Sequence, residues 1–140
     1  MERDQALERL ASARVGRLAT LTPDGHPHVV PFVFVVTLLG ETVRLHWVVD
    51  DKPKRSQRIQ RLRNLEAHPV VEVVVDAYDE DWDRLWWIRA SGMGRIVTDP
   101  TERFDALVAL RAKYPRYRDL RDDATVVAID VERLTGWTAR

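Results

Sequence analysis

The 140-residue chain contains no cysteine. That single absence excludes disulfide scaffolds, zinc ribbons, iron–sulfur clusters and thiol nucleophiles, and leaves the cytoplasm as the simplest expected compartment. Long hydrophobic runs are also missing. The longest, Val29 to Leu39, has eleven residues with Pro31 and Thr37 inside it, short of the ~20 that span a bilayer. The start, Met-Glu-Arg-Asp-Gln, is charged and leads into no signal-type apolar segment, so a soluble protein with no membrane association and no cleaved leader is expected. Net charge is absent as well: 22 basic and 22 acidic side chains sum to zero, which argues against a surface built to grip nucleic acid. With 45% hydrophobic and 31% charged residues, neither wholesale disorder nor a collagen-like chain fits. A fold of this length buries about 68–70% of its unfolded surface, so one domain over 1–140 with one real core is expected. There is no internal repeat, no P-loop and no GxGxxG turn; Gly92-Met93-Gly94 lies within a strand pattern and lacks the third glycine.

What is present is segregated charge. Lys52, Lys54, Arg55, Arg58, Arg61 and Arg63 face only Glu66 over the segment 52–66, whereas 76–83 holds Asp76, Asp79, Glu80, Asp81 and Asp83. Glu2 to Ala11 reads as a short amphipathic helix with Asp4 as its cap. Val15 to Leu21 alternates, and Thr22-Pro23-Asp24-Gly25 turns it into a hairpin. His28 to Val36 is apolar on both alternating faces, so it should be covered twice, by a barrel interior and by a helix or a second subunit. Strands follow at Thr42–Val49 and Val70–Asp76, with a helix at about Lys54–Ala67 between them. Arg84 to Val97 is a long strand whose glycines, Gly92 and Gly94, mark a bulge or a close backbone approach. Asp99-Pro100-Thr101-Glu102 starts a helix with Asp99 as N-cap and Glu102 placed to close a capping box. Phe104, Leu107 and Val108 form its stripe, and Pro115 stops it. Ala124 to Val131 is the last strand. Six mostly β-branched strands with flanking helices specify a mainly β fold, a small six-stranded antiparallel barrel.

Hydrolytic chemistry has no visible apparatus, because Ser12, Ser56 and Ser91 lack a nucleophile context. His26, His28, His46 and His68 form no helical metal-binding pair and read as polar edge residues. The helix at 54–67 is more informative. Ile59, Leu62 and Leu65 define one arc at ~100° per residue, and Arg55 and Arg58 project into it. A guanidinium aimed at a core needs an anion, and a helix N-terminus adds free N–H groups and partial positive charge. Two readings follow: internal pairing with the acidic loop, or a bound phosphate or polycarboxylate reached by Lys54, Arg55, Ser56, Arg58 and Arg61. Pro31 cannot donate to a ladder, so it marks an edge or an opening where a flat ring could lodge. Trp47, Trp82, Trp86, Trp87 and Trp137 supply aromatic surface.

Taken in order, Arg17-Leu18-Ala19-Thr20-Leu21, Asp24-Gly25, His26-Pro27-His28-Val29-Val30-Pro31, Lys52-Pro53-Lys54-Arg55, Arg61-Leu62-Arg63-Asn64-Leu65, His68-Pro69 and Gly92-Met93-Gly94-Arg95 form a pattern that resembles the split β-barrel flavin and deazaflavin oxidoreductases. These include the pyridoxamine-phosphate-oxidase-like proteins. The Lys-Pro-Lys-Arg run is similar to the branch that uses coenzyme F420. The resemblance implies an FMN-binding-like split barrel and a homodimer with cofactor sites at the subunit interface. It also implies a small-molecule acceptor, such as a conjugated alkene, quinone or tetrapyrrole, that receives a hydride. Lys52, Lys54, Arg55, Ser56, Arg58 and Arg61 would hold the phosphate and tail, while His28, Val30, Pro31, Trp47 and Val48 would flank the ring. No C-terminal arginine motif for pyridoxamine phosphate follows Gly136-Trp137, so that substrate is not expected. Flavin mononucleotide ends in one phosphate, whereas F420 adds a phosphodiester and a carboxylate tail. The surplus of positive charge therefore favours F420, with FMN as the alternative.

Overall fold

The computed structural model describes the backbone of residues 1–49 and 55–140 and the side chains of residues 1–49 and 60–140. The strands are β1 (Gly16–Leu21), β2 (Pro27–Phe32), β3 (Val35–Leu39), β4 (Thr42–Val49), β5 (Val70–Ala77), β6 (Trp86–Ile96) and β7 (Thr125–Thr138). The α-helices are α1 (Arg3–Ser12), α2 (Arg55–Ala67) and α3 (Pro100–Lys113), with short 3-10 turns at Trp82–Arg84 and Pro115–Asp119. All pairings are antiparallel, in the order β2-β1-β5-β6-β7-β4-β3.

That order makes β2 and β3 the two edges of one sheet, yet only Val33 and Phe34 separate them in sequence. Three extended residue steps reach about 10 Å, whereas the edges of a flat seven-stranded sheet would lie about 29 Å apart. The sheet must therefore curl until its edges meet. The result is a barrel split along the β2/β3 seam. Seven strands replace the six expected because the run His28 to Val36 breaks at Val33-Phe34 as it passes from one edge to the other. Its two apolar faces concealed the break. Tyr114 at the end of α3 secures it: the hydroxyl accepts from Phe34 N–H (3.2 Å) and lies 3.0 Å from the Phe34 carbonyl. Lys113 Nζ donates to that same carbonyl (2.8 Å) and to Ala11 (3.1 Å).

Two apolar clusters result. The inner one draws on every strand and includes Leu18, Phe32, Leu45, Trp47, Val73, Ile88 and Ile129, closed at one end by Ala6 and Leu10 of α1 and reached at the other by Leu65 of α2. The outer one lies between α3 and the backs of β4 and β7, with Val48, Val126, Ala128, Leu107 and Leu110. Phe104 and Val108 are exposed, so the buried stripe of α3 is Ala106, Leu107 and Leu110 rather than the one read from the sequence.

Both interior glycines do what the sequence suggested. Gly92 sits at the β6–β7 register shift, where a Cβ would fall on the Asp130 carbonyl oxygen. At Gly94 a Cβ would lie 2.6 Å from Leu65 Cδ2, so the missing side chain lets α2 dock. Asp99 Oδ2 accepts from Glu102 N–H (2.8 Å), the expected cap. The return half of the capping box is absent because the Glu102 carboxylate is engaged elsewhere. Asp4 caps nothing; Glu2 is the N-cap residue of α1 and makes no side-chain bond.

Candidate cofactor site

The end of the barrel closed by α2 holds three of the six buried side-chain polar atoms that lack a partner among the described residues. Trp47, on the inner face of β4, is 2% exposed and packs edge-on against Phe32 at 6.2 Å. The Arg61 guanidinium of α2 lies over the indole, 5.7 Å from its centroid. Trp47 Nε1, Arg61 Nε and His28 Nδ1 are all buried without a partner among the described residues. Burial pushes the Arg61 guanidinium below its ordinary value, with Tyr117 opposing that shift. A buried unpaired donor costs about 1–3 kcal/mol. Two such donors and an open imidazole nitrogen make this end of the barrel a candidate ligand site.

Neighbouring backbone is also open. The β3–β4 ladder ends at Val35↔His46, so Trp47 to Val49 have a strand partner only on the β7 side. On the far edge, β2 pairs only with β1. Pro27 and Pro31 must turn their nitrogens away from the ladder, so Pro31 marks an edge, one of the two alternatives it posed.

Side-chain alternation divides the expected residues. Arg61 and Trp47 meet beneath α2, and His28 and Val30 share the inward side of β2, with His28 opposite Thr20. Pro31 is exposed on the opposite face of β2, and Val48 belongs to the outer cluster under α3. Neither side chain can line the ring with His28 and Trp47, because neighbouring residues of a strand face opposite ways. Lys52 and Lys54 lie outside the described residues. Arg55, Ser56 and Arg58 occupy the first turn of α2, and their side chains lie outside the described set.

The alternative of pairing between the basic helix and the acidic loop rests on Arg55 and Arg58, whose side chains lie outside the described residues. The loop follows the end of β5 and α2 precedes its start, so eight strand residues, about 26 Å, lie between the loop and the C-terminal end of α2. Among the described residues the loop's ion pairs are Asp79 with Arg84 (3.6 Å) and Asp83 with Arg140 (3.3 Å).

Two polar groupings escaped the sequence reading. Beneath α2, Gln60 Nε2 donates to Asn64 Oδ1 (2.7 Å) and Asn64 Nδ2 donates to Thr20 Oγ1 (3.0 Å). Asn64 lies about 100° round the helix from Leu65, outside the apolar arc, so hydrophobicity gave no signal for its burial. On the outer face, Glu102 accepts a fork from Arg95 (3.1 Å twice) and a bond from His46 Nε2 (2.7 Å), while Asp130 accepts from Arg44 (2.6 Å) and Arg95 (2.8 Å). Burial alone would raise the Glu102 carboxyl; the bonds from Arg95 and His46 outweigh it and hold it below its ordinary range. His46 is thus a buried partner under α3, 4% exposed, and not an edge residue. His26 lies in the β1–β2 turn against Asp24 (3.1 Å).

The sequence matches the pyridoxamine 5'-phosphate oxidase family over residues 3–138. No curated protein matches it. A conserved hypothetical protein from Mycobacterium tuberculosis is similar in structure, with a TM-score of 0.77 and 23% identity over 100% of this chain and 86% of that one. An FAD-binding protein from Mesorhizobium loti gives 0.72 and 20% identity over 97% and 94% of the chains. The heme storage protein HutZ from Vibrio cholerae gives 0.68 and 15% over 97% and 93%. At these identities the likenesses establish the fold, and the family match covers all seven strands and three helices. The chain belongs to the pyridoxamine 5'-phosphate oxidase family.

Proposed function

We propose that this protein binds a flavin at the α2 end of the barrel and acts as an oxidoreductase toward a small conjugated acceptor. The observation that carries the reading is the pair of buried, unpartnered donors at Trp47 Nε1 and Arg61 Nε. Indole and guanidinium nitrogens can only donate. The site therefore suits a ligand rich in acceptor oxygens, which a phosphate and the dioxo edge of an isoalloxazine both supply. Membership of the family and the likeness to the Mesorhizobium loti FAD-binding protein support a flavin.

When bound, the ring supplies two-electron redox chemistry, and the protein supplies binding, orientation and exclusion of water. Arg61 and Trp47 would donate to the ligand's oxygens. The first turn of α2 brings free N–H groups and partial positive charge for a phosphate. His28 and Val30 flank the site from β2, and the open side of β4 at Trp47–Val49 offers backbone groups.

A second reading, coenzyme F420 in place of a flavin, is favoured by one sequence observation. Lys52, Lys54, Arg55, Arg58 and Arg61 carry more charge than one phosphate needs. In either case the functional unit is a homodimer. The outer face of β2, β5 and β6 exposes Val29 (61%), Val70 (54%) and Met93 (37%), apolar surface that a second copy would cover.

Turnover tests the reading. Protein loaded with reduced flavin or reduced F420 is mixed anaerobically with a quinone. Reoxidation at least tenfold faster than with free cofactor is the expected result. Binding without acceleration would make the protein a cofactor carrier instead.

A further inference from the structure

The polar residues beneath α2 form a directed array that ends at Thr20, opposite His28 in the ladder. Gln60 occupies the Asn64 carbonyl oxygen, so the Asn64 amide nitrogen faces Thr20, whose Oγ1 accepts. Asn64 is 0% exposed and Thr20 4%. Thr20 stands opposite His28 in the β1–β2 ladder, and directly opposed residues on one face have Cβ atoms about 4.5–5.5 Å apart. His28 Nδ1 is buried and unpartnered. A hydroxyl oxygen has two lone pairs, so Thr20 Oγ1 has room for a second hydrogen bond besides that from Asn64.

The geometry points to His28 as the side chain that delivers the proton in the reduction, with Thr20, Asn64 and Gln60 as its positioning residues. The inference rests on the reading that a redox cofactor binds at this end of the barrel. Two-electron reduction of a conjugated C=C acceptor consumes one hydride equivalent, supplied by the reduced cofactor, and one proton. The His28 imidazolium gives its Nε2 proton to the acceptor: an N–H bond breaks, a C–H bond forms, and the C=C π bond is lost. The ring is left neutral with its remaining proton on Nδ1, donated to Thr20 Oγ1, and water restores the Nε2 proton. The array selects that tautomer, leaving Nε2 as the proton-exchanging nitrogen. In this structure Nδ1 makes no bond to Thr20; catalytic hydrogen bonds of this kind tighten in the loaded site. Among the described side chains, the titratable groups on the surrounding elements are Arg61, Arg63 and Glu66 on α2, His68 just after it, Asp24 and His26 in the β1–β2 turn, and Arg17 on the outer face of β1.

The test uses the full chain loaded with oxidised flavin mononucleotide or F420, whichever binds. Long-range proton–nitrogen NMR reads the tautomer of the neutral His28 ring. The Nδ1–H form is expected to predominate in the parent and in Thr20→Ser, and to lose its predominance in Thr20→Val, with Thr20→Ala as the substitute where the valine variant does not fold. In kinetics, His28→Gln is expected to lower the rate of acceptor reduction by the bound reduced cofactor at least tenfold. A loaded parent in the Nε2–H form, or one indifferent to Thr20→Val, overturns the positioning role. A His28→Gln enzyme with the parental rate overturns the proton role. A parent that binds neither cofactor overturns the proposed function and this inference together, an outcome distinct from the other two.

Discussion

The Lys113 ammonium shows how much this fold spends to hold its seam. Burial, with Arg14 nearby, pushes its pKa down to about 8, although it bonds two carbonyls and lies over the rings of Phe34 (4.7 Å) and Tyr114 (5.2 Å). The folded-state value lies below the ordinary lysine value, so the charged form opposes folding at neutral pH. Stability should rise as pH increases from about 8 toward 10 and the folded-state lysine sheds its proton. Lys113→Met should abolish that rise, and thermal melts of parent and variant across this window measure it. A variant whose melting temperature tracks the parent's at every pH would contradict the assignment. At this scale the sequence revealed residues whose role is local. Asp99 announced its cap three residues from its partner. The Arg44–Arg95–Glu102–Asp130 cluster was hidden because its members meet only once β4, β6, β7 and α3 are in place, and Glu102 chose Arg95 and His46 over the capping box its spacing offered.

The two glycines of β6 separate what an element can absorb from what it cannot. A Cβ at Gly94 meets the end of the Leu65 side chain, which can turn aside, whereas one at Gly92 meets the Asp130 backbone at the bulge. Gly92→Ala should therefore destabilise by about 3 kcal/mol and Gly94→Ala by less, since overpacking costs most where backbone must move. Denaturant unfolding of both variants checks the order. Equal losses would show that the bulge is softer than its geometry implies. Alternation and turn residues made most strands legible. The division of Val29–Val36 was not, because a run apolar on both faces carries no phase from which to read a break. Likewise, β7 runs on to Thr138, past the expected Val131. Its second half alternates less cleanly after the extra residue Glu132, which the β6–β7 register leaves unpaired.

For the whole molecule, the proposed dimer would cover Val29, Val70 and Met93. Sedimentation should find dimer at micromolar concentration in the parent and a shift toward monomer in Val29→Lys. Monomer in the parent would remove the interface from the account. The barrel was legible from its family pattern and its strand content, and the α2 end was legible as a basic helix. The pairing of Trp47 with Arg61 was not, because β4 and α2 converge only when the sheet curls and the helix crosses its end. The central claim is that this end of the barrel holds a flavin-type cofactor through Arg61. Fluorescence titration with flavin mononucleotide and with F420, on the parent and on Arg61→Gln, tests it most directly. Charge-assisted hydrogen bonds contribute roughly 1.5–3 kcal/mol, so the parent should bind flavin mononucleotide and Arg61→Gln should bind it at least tenfold more weakly. A parent that binds only F420 would transfer the site to the deazaflavin, and equal flavin affinity in parent and Arg61→Gln, or no binding at all, would contradict the account.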